Sequence, residues 1–192
     1  MKMGYRMVIG VGILTISDGV YRGKRLDISG DLISSFVCDI DALKVDHTVV
    51  PDEVEAIVAK INDLIKRDDV DLILTTGGTG IGPRDVTPEA VTSVIDYEIP
   101  GISETFRSIG RLNTKYAILS RSIVGVSSKT LIVTLPGSPN GVEDSLSVLK
   151  PILFHTIDLI QGNLPPEIVA WLSQKKLIHV KKKVGNTFST KI

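Results

Sequence analysis

Three stretches of this chain are apolar almost without interruption: "MVIGVGILTI" (residues 7–16), "DLILTT" (71–76) and "TLIVTL" (130–135). A strand with one wet face alternates polar and apolar residues. A continuous apolar run fits a strand covered on both faces, the usual state of a parallel sheet. A fourth strand is expected over residues 45–50.

Helical patterns lie between the strands. Residues 52–66 place Val54, Ile57, Val58, Ile61, Leu64 and Ile65 on one stripe, with Asp52 as the expected N-cap. Ser29 or Asp31 can open a helix running through Asp41, and Thr87-Pro88-Glu89 reads as a helix start with Thr87 as the cap. Residues 140–160 carry one long stripe that Pro151 should kink. "AILSRSIVGVSSKTLIVTLPG" reads as a hairpin or two short strands. Alternating strands and helices imply right-handed parallel crossovers, and hence an α/β three-layer sandwich with a mostly parallel central sheet.

The 192 residues suit one domain with a large core. We expect an α/β domain over residues 1–162 and an extension over 163–192, with a short helix at 166–177 and a basic end. That extension holds six Lys and one Glu, so it carries +5 against −5 for the body, and the whole chain is neutral. Neither nucleic acid nor membrane is favoured as a partner. The longest apolar run is about half a membrane span, and no cleavage site follows it, so a cytoplasmic protein is expected. Cys38, the single cysteine, lies in the apolar stretch "LISSFVCDI" and is expected to be a buried structural thiol.

Ligands of open α/β sheets bind at the carboxyl ends of the strands. The exits here read "SDGVYRGKRLDISGD", "PDE", "GGTGIGPRD" and "PGSPN", all rich in turn residues, and together they point to a site. The third has four glycines in six residues. It lacks the Lys of a P-loop and does not fit the dinucleotide fingerprint, so its pattern is compatible with an anion cradle or with a tight turn. Asp52 and Asp85 lie just past two strand ends. Each could be a cap or turn residue, Asp85 pairing with Arg84. Together, beside a phosphate cradle, they could hold Mg²⁺, which binds one or two carboxylates plus substrate phosphates. His47, His155 and His179 have no ligand spacing, and no G-x-S-x-G elbow occurs.

With those residues in view, the chain resembles the molybdopterin adenylyltransferases of molybdenum-cofactor biosynthesis, within the wider molybdopterin-binding family. The matching pieces are "TISDG" with "DISG", "VVPDEVEAI", "DLILTTGGTGIGPRDVTPEAV", "AILSRSIVG" and "LPGSPNGVEDSL", in order across roughly residues 7–162. The segment around Ile81 to Pro83 differs from other family loops but keeps Arg84 and Asp85. The connection over residues 39–47 is short, and the basic end matches no family motif.

The resemblance implies a homotrimer that uses ATP and Mg²⁺ to adenylylate the terminal phosphate of molybdopterin, with a molybdenum insertase as a partner. It assigns functional weight to Asp52 and Asp85, expected at the metal. Gly77, Gly78, Thr79 and Gly80 would form the nucleotide cradle. Ser17, Asp18, Gly137 and Ser138 are further binding candidates, and Ser120 and Arg121 would help hold the pterin phosphate. The attacking phosphate monoester is largely ionised at neutral pH (second pKa ~6), so no general base is required. The alternative is a non-catalytic molybdopterin-binding or carrier protein on the same fold.

Overall fold

The computed structural model describes residues 8–163. A six-stranded sheet runs in the order β2 (Leu43–Val50), β1 (Gly10–Ile16), β3 (Leu72–Thr76), β6 (Thr130–Leu135), β5 (Val124–Ser127) and β4 (Tyr97–Glu98). The first four are parallel, and β5 and β4 add an antiparallel edge. The expected hairpin is therefore β5–β6, turned at Ser128 in the left-handed region (φ 55°).

The continuous apolar runs are central strands buried on both faces. Val11, Ile13, Leu72, Leu74, Leu131 and Val133 face α2 (Ile28–Asp39), α5 (Pro100–Asn113), α6 (Pro139–Leu149) and α7 (Leu153–Ile160). Leu14, Ile16, Ile73 and Ile132 face α3 (Val54–Ile65) and α4 (Thr87–Thr92). A three-layer sandwich results. Strand β2, at the sheet edge, is only partly covered, which is why its sequence reads more polar.

Some local expectations are corrected. Helix α2 starts at Ile28, one residue early, because the Asp27 carboxylate accepts the Gly30 N–H (2.9 Å) and caps it. The stripe over residues 140–160 is two helices, not one kinked helix. Pro151 has no N–H to give and its ring clashes with the preceding turn, so α6 ends at Leu149 and α7 begins at Leu153. Cys38 is exposed: Ile33, Val37 and Ile40 form the buried stripe, and Cys38 falls off it. Helix α5 was not anticipated. The candidate helix at 166–177, His179 and the basic end lie outside the described residues.

Chain order places the site. The connection leaving β1 runs to β2 on one side of it, whereas the one leaving β3 runs to the opposite side of the sheet, toward β4. A crevice opens at such a switch point, at the carboxyl ends of β1 and β3. Among the described residues, no helix is long and apolar enough to cross a membrane.

Candidate functional site: two hollows joined at a glycine ridge

All four parallel-strand exits meet. A hollow of about 370 Å³ is lined by Ser17 after β1, Asp52 after β2, Gly77 and Gly78 after β3, and Gly137 after β6. A second hollow of about 690 Å³ is lined by Gly78, Thr79, Gly80, Asp85, Ser120 and Ser138. Gly78, Gly137 and Pro139 border both, so a ridge of main chain separates the two spaces. Asp52 faces one and Asp85 the other.

The ridge depends on close backbone approach. Gly77 adopts φ 99°, and a Cβ there would lie 2.1 Å from the Ile16 carbonyl oxygen. Gly78 is also left-handed (φ 62°). The loop's hydrogen bonds are one-sided. Thr87 donates its Oγ1–H to the Gly77 carbonyl (2.9 Å) and its N–H to the Gly78 carbonyl (3.1 Å). Arg121 donates its N–H to the Thr79 carbonyl (2.8 Å) and its Nε–H to the Gly80 carbonyl (2.6 Å). The N–H groups of Gly78, Thr79, Gly80 and Ile81 have no partner among the described residues. All four residues line the larger hollow. Four consecutive free N–H groups form a concave, positive surface suited to an anion.

The carboxylates are also placed by hydrogen bonds. Asp52 is not a helix cap, because α3 is entered through Glu53 without any side-chain bond. Its Oδ2 accepts the Asp18 N–H instead (2.7 Å). Asp85 does not pair with Arg84; its Oδ2 accepts the Gly82 N–H (2.7 Å). The second oxygen of each makes no hydrogen bond within the described residues. No group of three or more His, Cys, Asp or Glu among the described residues could hold a metal alone. Each carboxylate thus keeps one oxygen for an ion otherwise held by phosphates and water, which is the habit of Mg²⁺. Thr87 is inside α4, behind Val86, because its hydroxyl is committed to Gly77.

The other candidates take varied places. Ser17 and Ser138 are N-caps, accepting from the N–H groups of Val20 and Gly141 (3.3 Å each). Asp18 lines neither hollow. Its Oδ2 accepts two bonds from Arg84 (3.2 and 2.8 Å), tying α1 (Asp18–Tyr21) to the end of the glycine loop. The Arg84 guanidinium holds the Asp18 carboxyl below the usual carboxylate range. Arg121 lines neither hollow and lies behind the loop.

The Asp18–Arg84 tie has a pH signature. A carboxyl whose folded pKa is depressed contributes stability that is present above its unfolded pKa and lost as pH falls through the folded value. The tie should therefore hold at neutral pH and release only in acid. In Arg84→Gln, a ¹³C-detected titration should find the Asp18 midpoint higher than in the wild type; an unmoved midpoint would show that Arg84 is not the cause.

Sequence reading missed α5 and what it contributes. Phe106, Arg107, Gly110 and Asn113 line the larger hollow. Asn113 donates to Asp144 on α6 (2.7 Å), and Arg107 reaches the Ser122 carbonyl (3.3 Å). The available signal was Pro100 at a helix start, followed by Ile102 and Phe106 four apart.

Comparison with known proteins agrees with this architecture. The family described as "Probable molybdopterin binding domain" matches residues 12–155. The chain is 34% identical over 157 residues to the molybdopterin adenylyltransferase of Helicobacter pylori strain J99, covering 81% of this chain and 89% of that protein. It is 37% identical over 153 residues to the molybdenum cofactor synthesis protein cinnamon of Drosophila melanogaster, covering 79% of this chain but spanning only 26% of that protein's length. Among solved structures, the molybdopterin biosynthesis enzyme MoaB of Thermus thermophilus superposes with a TM-score of 0.76 at 41% identity, covering 81% of this chain and 98% of that one. With a family match over residues 12–155 and a relative 34% identical along most of both chains, this chain belongs to the molybdopterin-binding domain family.

Proposed function

We propose that the protein transfers AMP from ATP to the terminal phosphate of molybdopterin and releases pyrophosphate. One observation carries this reading: two hollows, each with its own aspartate, meet at a ridge beside four unpartnered N–H groups. A two-substrate phosphoryl reaction needs two recesses whose phosphate ends come together over a cationic or dipolar surface. A carrier would need only one.

In the proposed reaction a molybdopterin phosphate oxygen attacks the α-phosphorus of ATP. A new P–O bond forms, the bond from the α-phosphorus to the α–β bridging oxygen breaks, and pyrophosphate leaves with that electron pair. No proton has to be removed from the nucleophile, and none of the described residues lining either hollow is a histidine. Gly77, Gly78, Thr79 and Gly80 shape the nucleotide cradle, and the free N–H groups take up phosphate charge. Ser17, Gly137, Ser138 and Ser120 supply polar contacts along the two hollows. Asp18 links Asp52, through its N–H, to Arg84, through its carboxylate. The free oxygens of Asp52 and Asp85 would hold Mg²⁺, which when bound would neutralise the triphosphate and favour attack at the α-phosphorus.

The same reading has the protein act as a homotrimer in the cytoplasm and pass its product to a molybdenum insertase. It takes residues 1–162 as the catalytic domain and 163–192 as an appended segment. The test is label transfer. With ATP labelled at the α-phosphate, label should appear on molybdopterin in the presence of the wild-type protein. Molybdopterin that is bound but never labelled would instead identify a carrier.

A further inference from the structure

We propose that Arg121 and Thr87 are the positioning residues of the anion cradle, acting from behind the glycine loop rather than on the ligand. The peptide units of the loop are planar and trans. In such a unit the carbonyl of one residue and the N–H of the next point in opposite directions, so holding the carbonyl on one side aims that N–H to the other. Thr87 holds the carbonyls of Gly77 and Gly78, which aims the N–H groups of Gly78 and Thr79. Arg121 holds the carbonyls of Thr79 and Gly80, which aims those of Gly80 and Ile81. These four N–H groups have no partner among the described residues, and all four residues line the larger hollow.

Arg121 does more than hold Gly80. Its guanidinium also donates to the Asp85 carbonyl and pairs with Glu89, so it joins both ends of the loop to α4. The planar fork reaches acceptors in several directions at once, which a lysine ammonium on its flexible stem does not reproduce. Its charge sits behind the carbonyl ends of the peptide dipoles and is absent from both hollows. This revises the expectation that Arg121 grips the pterin phosphate. Thr87 is fully buried, and its hydroxyl is committed to Gly77.

The nature of the anion, a phosphate chain, rests on the adenylyl-transfer reading, whereas the positioning roles rest on the loop itself. Inorganic pyrophosphate is the probe, titrated into ¹⁵N-labelled protein while the amides of Gly78, Thr79, Gly80 and Ile81 are followed. In the wild type these amides should move together. Loss of a charge-assisted hydrogen bond in Arg121→Met should weaken pyrophosphate binding roughly tenfold to a hundredfold, with far-UV circular dichroism unchanged. Arg121→Lys should be nearly as weak, and Glu89→Gln should not tighten binding. Thr87→Val, which removes the hydroxyl from the Gly77 carbonyl but keeps the Thr87 N–H on the Gly78 carbonyl, should disturb the Gly78 amide first, and Arg121→Met the Ile81 amide first.

If Arg121 were a phosphate ligand, Arg121→Lys would retain most of the affinity and Glu89→Gln, freeing the guanidinium, would increase it. Either result overturns the proposal, as would wild-type affinity in Arg121→Met. Wild-type protein that ignores pyrophosphate would count against adenylyl transfer. The positioning roles would then be decided by the unliganded spectra: an Ile81 amide displaced in Arg121→Met supports them, and one unmoved refutes them.

Discussion

Asp85→Asn is expected to leave the fold intact and to lower AMP transfer by roughly a hundredfold to a thousandfold, the usual cost of removing one electrostatic group from a charged transition state. Asparagine keeps an oxygen that can accept the Gly82 N–H, so the turn that Asp85 closes should survive. What disappears is the negative charge on the second oxygen, which makes no hydrogen bond among the described residues. Asp52→Asn should behave alike, because its Oδ2 contact with the Asp18 N–H can also be kept by an amide oxygen. Steady-state AMP transfer at saturating Mg-ATP, beside thermal unfolding of each variant, checks this. A variant with unaltered melting and unaltered turnover would take that aspartate out of the mechanism.

Gly77→Ala should be the most damaging single-methyl change at the site. A side chain in the left-handed region costs about 1–3 kcal/mol before any contact is considered. Here the added Cβ would also meet the Ile16 carbonyl oxygen at 2.1 Å, and that oxygen belongs to the end of β1 rather than to a movable side chain. Relief requires β1 and β3 to part at the switch point, where both hollows are formed. We therefore expect urea unfolding to show a loss of stability of at least ~2 kcal/mol, with transfer activity falling further than stability alone explains. Stability within about 0.5 kcal/mol of the wild type, the range of a neutral surface change, would contradict the close approach.

The central sheet was legible because the physics of a doubly covered strand leaves a direct mark in composition. The runs ending at Ile16, Thr76 and Leu135 could not be wet on either face, and all three are central. Exit loops could be located for the same reason. Hydrogen-bond partners could not be read in advance. Asp52 beside a helix start looks like a cap, yet the Asp18 N–H, 34 residues away, claims it. Arg84 beside Asp85 looks like its ion-pair partner, yet Asp18 takes it from another strand exit.

Helix α5 escaped notice for a different reason. Between Pro100 and Asn113 the buried positions are Ile102, Ser103, Phe106 and Gly110, so half of its core face consists of small or polar residues. An apolar stripe that narrow does not stand out from a loop, although it builds one wall of the larger hollow. Arg121 marks the same boundary. Nothing in its sequence neighbourhood shows that its guanidinium donates to the Gly80 and Asp85 carbonyls, some forty residues earlier in the chain.

The account's central claim is that the two hollows cooperate in one transfer. Its most direct test is pyrophosphate release from Mg-ATP by the wild-type protein, measured with and without molybdopterin. The account predicts little release from ATP alone, and release that rises with added molybdopterin until one pyrophosphate has formed per pterin adenylylated. Saturable binding of molybdopterin with no pyrophosphate released would contradict it.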